Sequence, residues 1–323
     1  MRADAPSYAT SIAPATAASI AEAAALIRDG KLVAFPTETV YGLGANALDD
    51  FAVSAIFAAK ERPRFNPLIV HVLDRMEAVE LVNFNAVARA LADAFWPGAL
   101  TLVLPRREPS PLALLVSAGL DTAAVRSPSH ETARTLLDAS GVPIAAPSAN
   151  RSSRISPTTA ADVAEELAGR VNLILDAGPC AIGLESTVIG FDKDKPVLLR
   201  RGAISREEIE RVSGPLGMTQ NETIQSPGQM ASHYAPHAAL RLNAREARAG
   251  EALLAFGPDA PKAMITRNLS AKGDLREAAA NLFAMLRALD KAGANIIAVM
   301  PIPNEGLGEA INDRLQRAAA PRL

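Results

Sequence analysis

The feature that most constrains this chain is a series of short apolar runs, each followed directly by loop-forming residues. LVAF (32–35), LIVHV (68–72) and LTLVL (100–104) have the length and composition of strands, and helical patterns lie between some of the runs. Strands that alternate with helices favour an α/β sheet covered on at least one face. Several runs follow one another closely, which favours hairpins and therefore a mixed sheet. The other runs are AAV (123–125), PIAA (143–146), LIL (173–175), STVIGF (186–191) and VLLR (197–200).

Helix start and stop signals lie in the same region. Thr16 is a suitable N-cap for a first helix, whose apolar face contains Ile20 and Ile27, and Gly30 ends it. Four further helical patterns cover 50–60, 85–95, 129–140 and 158–167.

The chain is too long for a single hydrophobic core, since 323 residues correspond to about two domains. Regular patterning stops near Val212, and 213–231 is rich in Gly and Pro, the composition of a linker. A second α/β pattern then follows, with strands at 240–242, 252–256 and 295–303, a helix over 275–291 capped by Asp274, and a final helix over 309–319. We predict a first α/β domain over 1–212, a linker or lid over 213–237, and a smaller Rossmann-like α/β domain over 238–323.

Composition excludes several classes of function. Thirty-five acidic against 33 basic residues give a net charge of −2, which argues against a protein that mainly coats nucleic acid. The single cysteine, Cys180, excludes an internal disulfide and an all-cysteine metal site. The apolar runs are too short to cross a membrane, so we predict a soluble protein of the cytoplasm.

Nucleotide-binding motifs are weak. GLGANA (42–47) fits the dinucleotide fingerprint, but five residues separate it from its strand and the expected acidic residue is missing. The chain has no Walker A sequence.

Basic residues in loops are more informative. Lys60, Arg62 and Arg64 lie within five positions at a helix end, where they either complement the helix dipole or form a cradle for a polyphosphate. Arg126 directly follows an apolar strand, at the sheet edge where α/β proteins bind ligands, and this favours the cradle. A surface salt bridge is the alternative role for Arg126.

Hydroxyl and amide side chains follow several of the predicted strands. They are ordinary turn residues, but the loop APSANRSSRISPTT (146–159) is long and carries two arginines, which favours a ligand site. Glu38 and Glu185 lie in predicted turns, where each is a candidate base, metal ligand or helix-cap acceptor. Cys180 and His71 fit structural roles. The polar set comprises Asn66, Thr122, Ser148, Asn150, Ser152, Ser153 and Ser156.

Together these stretches resemble the threonylcarbamoyl-AMP synthase family, whose catalytic unit is a YrdC-like domain. SPGQMASHYAP (226–236) resembles the linker of the long, two-domain form, which ends in a Rossmann-like domain. Two departures from the usual pattern are Ser153, where many members have glycine, and Arg201, where proline is usual. The resemblance is carried by FPTETVYGLGA (35–45), KERPRFNPLIVHV (60–72), FWPGALTLVL (95–104), AVRSPSH (124–130), PIAAPSANRSSRISPTTA (143–160), GLESTVIG (183–190) and LLRRGAI (198–204).

The resemblance implies a YrdC-like twisted mixed sheet and a nucleotidyltransferase. This enzyme would convert L-threonine, bicarbonate and ATP with Mg²⁺ into threonylcarbamoyl-AMP and pyrophosphate. The product would serve threonylcarbamoyladenosine modification beside the anticodon of tRNA, through a downstream threonylcarbamoyl-transferase complex. No protein nucleophile and no metal-ligating side chain are implied.

The resemblance also implies roles for individual residues, with Lys60 and Arg126 as the catalytic pair. Threonine would be surrounded by Thr39, His71, Arg126, Ala146 and Ser186. ATP would be held by Lys60, Arg62, Asn66, Thr122, Ser148, Ser156, Arg200 and Tyr234.

Three alternatives remain open at this point. A related domain of hydrogenase-maturation proteins forms carbamoyl-adenylate, but those proteins carry cysteine-rich zinc fingers. YrdC-like domains also have a basic concave face suited to double-stranded RNA, which allows a non-catalytic role in binding RNA or tRNA. The linker segment that carries His233 and Tyr234 either closes over a pocket as a lid or packs its tyrosine on the sheet as a spacer.

Overall fold

A computed structural model describes residues 9–218 and 233–321 of the protein. Within these residues the first domain is built on a single mixed sheet. Its strands are β1 (Ser11–Pro14), β2 (Val33–Phe35), β3 (Gly42–Asn46), β4 (Ile69–His71), β5 (Leu100–Pro105), β6 (Thr122–Arg126), β7 (Ile144–Ala145), β8 (Leu173–Asp176), β9 (Thr187–Asp192), β10 (Lys195–Arg200) and β11 (Gly217–Met218). They are arranged in the order β1-β8-β2-β3-β7-β4-β6-β5-β9-β10-β11.

The predicted mixed sheet is confirmed by the strand pairing. The strand pairs β2–β3, β5–β6 and β9–β10 are antiparallel, and the closely spaced runs 186–191 and 197–200 form the hairpin β9–β10. The pairs β4–β6 and β5–β9 are parallel. Because β5 is antiparallel to β6, the carboxyl ends of β4 and β6 lie at the same edge of the sheet as the amino ends of β5 and β9.

Most of the predicted helices form close to the expected bounds. Thr16 caps the first helix in a capping box with Ser19, and Gly30 follows its end with a φ of +73°. A helix over 206–213, which the sequence patterns did not indicate, closes the domain. The helices are α1 (Ala17–Arg28), α2 (Asp50–Lys60), α3 (Arg75–Ala78), α4 (Ala86–Phe95), α5 (Glu131–Ser140), α6 (Ala160–Leu167) and α7 (Arg206–Ser213).

Both faces of the sheet are covered. One apolar core contains Leu43 and Val70 of the sheet together with Ile56 of α2 and Leu91 of α4. On the opposite face, Phe35 packs with residues of α1 and α5. The side chains that carry chemistry therefore emerge at the strand ends, because the faces of the sheet are occupied by apolar packing.

The strand β3 corrects the expectation that 42–46 belongs to a loop. Glycine is a poor strand former, and a sequence pattern based on side chains does not reveal why it is needed here. A Cβ at Gly44 would lie 2.7 Å from Cε1 of Phe35 and 2.9 Å from Cγ2 of Ile144. Glycine therefore allows the backbone of β3 to lie against the Phe35 ring.

The second domain is a smaller α/β unit with a parallel sheet, as predicted. Its strand order is β12-β15-β13-β14, with every pair parallel. The strand β14 was not predicted from the sequence. The elements are β12 (Ala239–Arg241), β13 (Ala252–Ala255), β14 (Thr266–Asn268), α8 (Leu275–Lys291), β15 (Ile296–Val299) and α9 (Leu307–Ala319).

The two domains share a continuous apolar contact. Val40, Ile155 and Leu184 of the first domain pack into the core that contains Leu282 of α8 and Ile311 of α9. Most of the predicted linker lies in 219–232, outside the described residues. The predicted boundaries at 212 and 238 stay predictions.

We expect Gly44→Ala to lower the free energy of unfolding by about 1–3 kcal/mol, because the new methyl group overpacks the contact with Phe35 and Ile144. Urea unfolding monitored by circular dichroism measures the change. Gly217→Ala is a matched control at the exposed edge strand β11, where the nearest atom to the new Cβ is 3.3 Å away. Equal stability of the two variants would contradict this account of β3.

Candidate active site

The two central residues of the site lie at the ends of neighbouring strands. His71 ends β4, Arg126 ends β6, and the two residues are partners in the register of this parallel pair. Both side chains are buried, and they face a cavity of about 50 Å³. The cavity is lined by Thr37, Thr39, Val40, Gly42, Arg62, Ile69, His71, Arg126, Ala146, Pro147, Ser148, Glu185, Ser186, Arg200, His233 and Tyr234.

Arg126 is held by three groups of its own domain. Its Nη2 donates to Oε1 of Glu38 at 2.6 Å, its Nη1 to Oγ1 of Thr39 at 2.9 Å, and its Nε to the carbonyl of Gly98 at 3.1 Å. Burial opposes ionisation of Glu38, but the charge and hydrogen bond of Arg126 outweigh it and lower the pKa of Glu38. Arg126 is therefore a fixed cation, and its ion-pair partner is buried with it.

Lys60 and Arg62 are buried cations of a different kind. Lys60 ends α2, and its Nζ donates to the backbone carbonyls of Ser148, at 2.5 Å, and Asn150. Arg62 donates to the carbonyls of Asn66 and Pro67 at 3.2 and 2.8 Å. Burial lowers the pKa of Lys60 far below its usual value and that of Arg62 to about 9. The ion pairs of the described residues leave both cations without a carboxylate partner.

A third group of contacts fixes the start of β9. Arg200 donates through Nη2 to Oγ of Ser186 at 3.0 Å and to the carbonyl of the same residue at 2.9 Å. The hydroxyl of Ser186 also lies 2.7 Å from that of Thr101. These contacts orient the Ser186 hydroxyl at the cavity wall.

Glu185 links the cavity to the second domain. Ser156 donates to its Oε1 at 2.5 Å, and Arg314 of α9 donates to its Oε2 at 2.9 Å. Burial would raise the pKa of Glu185, but the charges of Arg314 and Arg200 lower it overall. Glu185 is thus an ion-pair partner and hydrogen-bond acceptor in this structure.

Sequence reasoning missed Arg314, although the sequence carries a signal for it. The buried face of α9 is formed by Ala310, Ile311, Leu315 and Ala318, at helical spacing. Arg314 lies on the same stripe and is fully buried. A charged residue on the apolar face of an amphipathic helix indicates a buried partner.

The described end of the linker covers the cavity. Tyr234 is buried, its ring stacks on Phe283 of α8 with a centroid separation of 5.6 Å, and Cζ of Arg314 lies 5.1 Å from its ring centroid. The backbone N–H of His233 donates to the carbonyl of Arg317 at 3.2 Å. The N–H of Ala235 donates to the carbonyl of Ser153 at 2.9 Å, so residues 233–235 are held by both domains.

The structure brings most of the predicted site residues together. Nine of them line the cavity: Thr39, Arg62, His71, Arg126, Ala146, Ser148, Ser186, Arg200 and Tyr234. Lys60 lies behind the loop that carries Ser148, and Ser156 reaches the wall through Glu185. Asn66 contacts Arg62 through its carbonyl. Thr122 lies four residues before Arg126 on β6, which places it roughly 13 Å along the strand.

The other basic residues of these loops serve different contacts. Arg64 is exposed and takes no part in the cavity. Arg151 pairs with Glu61 at 2.6 Å, and Arg154 lies 2.6 Å from Nε2 of His237. Ser153 adopts a φ of +66°, a conformation that glycine adopts without strain. The usual glycine at this position is thereby explained by backbone geometry.

The described part of the chain contains neither a candidate metal site nor a candidate membrane-spanning helix. Residues 9–218 and 233–321 contain no group of three or more His, Cys, Asp or Glu side chains arranged to hold a metal ion. None of the helices in these residues is long and apolar enough to cross a membrane.

Comparisons with known proteins find relatives over nearly the whole chain. A family model described as "Telomere recombination" matches residues 25–202, and one described as "Threonylcarbamoyl-AMP synthase, C-terminal domain" matches residues 204–320. The threonylcarbamoyl-AMP synthase of Bacillus subtilis is 43% identical to this chain over 325 residues, covering 94% of each chain. The corresponding enzyme of Pyrococcus abyssi is 44% identical over 322 residues, covering 93% of this chain and 94% of its own.

The fold comparison includes a structure with a bound substrate. The crystal structure of P. abyssi Sua5 complexed with L-threonine superposes with a TM-score of 0.87 at 41% identity, covering 96% of each chain. The fold and these relatives define an enzyme that transfers AMP from ATP, consistent with a nucleotidyltransferase. The chain belongs to the threonylcarbamoyl-AMP synthase family, in its two-domain form.

We expect the imidazole NMR signals of His71 and His233 to remain those of the neutral ring from pH 8 to pH 5. Burial, with the charges of nearby arginines, lowers the pKa of His71 to about 3 and that of His233 well below 6.5. Because the unfolded chain binds these protons near pH 6.5 and the folded chain does not, the two residues make stability fall as the pH drops below 6.5. A titration midpoint above pH 6 for either ring would contradict the burial.

Proposed function

We propose that this enzyme makes threonylcarbamoyl-AMP from L-threonine, bicarbonate and MgATP, and releases pyrophosphate, in the cavity between Arg126 and the Lys60–Arg62 pair. One observation carries the proposal. The cavity edge holds two kinds of buried cation, one paired with a carboxylate and two without such a partner among the described residues. The paired arginine is suited to the single carboxylate of an amino acid. The two cations without a carboxylate partner are suited to the several negative charges of a polyphosphate tail.

In this proposal threonine lies at the ends of β4 and β6. Arg126 binds its carboxylate through the edge that now contacts Thr39, while Glu38 keeps hold of the other arm. Ala146 and Ser186 complete the pocket. His71 is neutral, so its ring offers one donor and one acceptor without adding charge. The crystal structure of P. abyssi Sua5 complexed with L-threonine supports threonine as the amino-acid substrate.

ATP occupies the side of the cavity that faces Lys60, Arg62 and Arg200. Burial strengthens the attraction of these cations for phosphate, because little water screens them. We assign the remaining nucleotide contacts to Asn66, Thr122, Ser148, Ser156 and Tyr234. Mg²⁺ enters as the ATP complex, since it prefers phosphate oxygens and water to a dedicated protein cage. The carboxylates nearest to the cavity, Glu38 and Glu185, are held by arginines.

The chemistry needs placement more than a reactive side chain. The threonine amine condenses with bicarbonate to a carbamate, and the amine proton leaves with the hydroxyl oxygen of bicarbonate as water. A carbamate oxygen then forms a bond to the α-phosphorus while the bond from that phosphorus to pyrophosphate breaks. Lys60 and Arg126 fix the two reactants and compensate their charge. Cys180 has no part in these steps, because burial raises the pKa of its thiol to about 12.

The segment that carries His233 and Tyr234 acts as a lid in this proposal. A cavity of about 50 Å³ is far smaller than the roughly 300–1,000 Å³ of typical ligand pockets. Nucleotide binding therefore requires that this segment move away from Phe283 and Arg314. The spacer alternative places the tyrosine on the sheet, whereas Tyr234 stacks on Phe283 of α8 and lines the cavity.

We assign the product to threonylcarbamoyladenosine formation in tRNA, after transfer to a downstream threonylcarbamoyl-transferase complex, and place the enzyme in the cytoplasm. The reaction itself needs no RNA. Direct binding of tRNA or double-stranded RNA is a separate property, which a salt-dependent binding assay with the purified protein would detect.

The decisive experiment mixes the purified full-length protein with L-threonine, bicarbonate, ATP and Mg²⁺ and identifies the adenylated product by mass spectrometry. We expect threonylcarbamoyl-AMP and stoichiometric pyrophosphate, both lost when threonine is omitted. Pyrophosphate release that requires carbamoyl phosphate and ignores threonine would instead indicate a carbamoyl-adenylate-forming enzyme. RNA binding without threonine-dependent consumption of ATP would contradict the synthase function.

We expect Arg126→Ala to reduce kcat/KM chiefly for threonine, and Lys60→Ala to reduce it chiefly for ATP. Losing a buried charged contact costs about 2–5 kcal/mol, so each reduction is at least roughly 30-fold. Steady-state kinetics with each substrate varied in turn measure the split. Arg107→Ala is the control, because Arg107 forms an exposed ion pair with Glu80 away from the cavity. Equal effects on both substrates in both variants would overturn the placement.

A further inference from the structure

The side chain of Arg314 connects the second domain to the wall of the cavity. Arg314 of α9 has no exposed surface, and each of its nitrogens donates a hydrogen bond. Nε donates to Glu185 at 2.9 Å, Nη1 to Asp313 at 2.7 Å, and Nη2 to the carbonyl of Arg201 at 2.9 Å. Two of these three acceptors belong to the first domain. The guanidinium therefore links the two domains, and each of its nitrogens donates a hydrogen bond.

The bridge ends on residues of the proposed substrate site. Glu185, which accepts from Arg314 through one oxygen, accepts from the hydroxyl of Ser156 through the other, at 2.5 Å. Ser186 follows Glu185 directly in the chain and presents its hydroxyl to Arg200. The position of the Glu185 carboxylate therefore affects a residue assigned to ATP and a neighbour assigned to threonine.

The same guanidinium also contacts the lid. Its Cζ lies 5.1 Å from the ring centroid of Tyr234, within the range of a cation–π interaction. Tyr234 stacks on Phe283 of α8, so the ring is held by both helices of the second domain. One residue of the second domain thus contacts the cavity wall and the segment that covers it.

A purely structural role is already served by other contacts. Glu309 of the second domain pairs with Arg201 at 2.9 Å and with Arg206 at 3.4 Å, and none of these three residues lines the cavity. Lys291 pairs with Glu165 at 2.6 Å on the surface. A buried arginine is costly to desolvate, and holding the domains together does not explain its position beside the cavity.

We propose that Arg314 is a positioning residue of the synthase: it fixes Glu185 and, through it, Ser156, and it holds Tyr234 in the closed lid. The catalytic site is then complete only when the second domain is docked. This inference rests on the proposed function, because it assigns Ser156 and Tyr234 to ATP. It gives the second domain a part in catalysis without requiring that domain to bind a ligand.

The test compares Arg314→Met and Arg314→Lys with Glu309→Gln in the full-length enzyme. Each variant is assayed for pyrophosphate release with ATP and threonine varied separately, and each melting temperature is recorded. We expect Arg314→Met to raise the KM for ATP at least tenfold, and Arg314→Lys to restore part of this loss. Lysine keeps the positive charge beside Glu185, but it lacks the planar guanidinium that donates to three acceptors at once. Glu309→Gln should leave both KM values within twofold of wild type.

A double variant tests the route through Glu185. If Arg314 acts by fixing that carboxylate, Arg314→Met combined with Glu185→Gln raises the KM for ATP no further than the more severe single variant. Multiplication of the two single effects would overturn this route. Wild-type KM values in Arg314→Lys, or equal KM increases in Arg314→Lys and Glu309→Gln, would overturn the proposal even if Arg314→Met does not fold.

An assay of the wild-type enzyme distinguishes failure of the proposed function from failure of the positioning role. If it forms no threonylcarbamoyl-AMP, the proposed function fails, and calorimetric titration of the variants with ATP alone still tests the positioning role. Under that titration, ATP affinity that is at least tenfold weaker in Arg314→Met than in Glu309→Gln supports the inference. Equal affinities contradict it.

Discussion

The structure depends on the cost of removing cationic side chains from water. Arg126 and Arg314 offset that cost with buried carboxylates, those of Glu38 and Glu185. Lys60 and Arg62 are satisfied by backbone carbonyls alone, which supply hydrogen bonds but no opposite charge. Burial therefore disfavours the charged forms of these two side chains. Under the proposed function, a phosphate group beside them would favour the charged forms, which would link the stability of the site to binding of nucleotide.

The architecture explains why the site lies where it does. Parallel pairing of β4 with β6 sets His71 beside Arg126, and parallel pairing of β5 with β9 brings Thr187, and with it Ser186, to Leu100. The apolar faces of the sheet are covered, so the polar ends of the strands are the surface left for chemistry. The second domain then covers the edge with α8 and α9.

Much of the fold follows from the sequence because its apolar periodicity and helix caps act locally. Thr16 and Asp274 mark helix starts in the sequence and in the structure. The strand at Gly44 was missed because the contacts that require glycine, with Phe35 of the adjacent strand and with Ile144, form only after folding. The site residues came from a family resemblance, which matched loops of the first domain. Arg314 lies outside those motifs, and its role depends on how two domains meet, which no local pattern encodes.

Closure of the cavity has a thermodynamic consequence for every ligand. Tyr234 contacts both Phe283 and Arg314 in this structure, so the proposed lid can admit a nucleotide only in a conformation that breaks these contacts. An apparent dissociation constant is the intrinsic constant divided by the fraction of competent molecules. Weak binding measured for an isolated substrate would thus reflect the work of parting aromatic and cationic groups, and not a poor fit between the substrate and its own contacts.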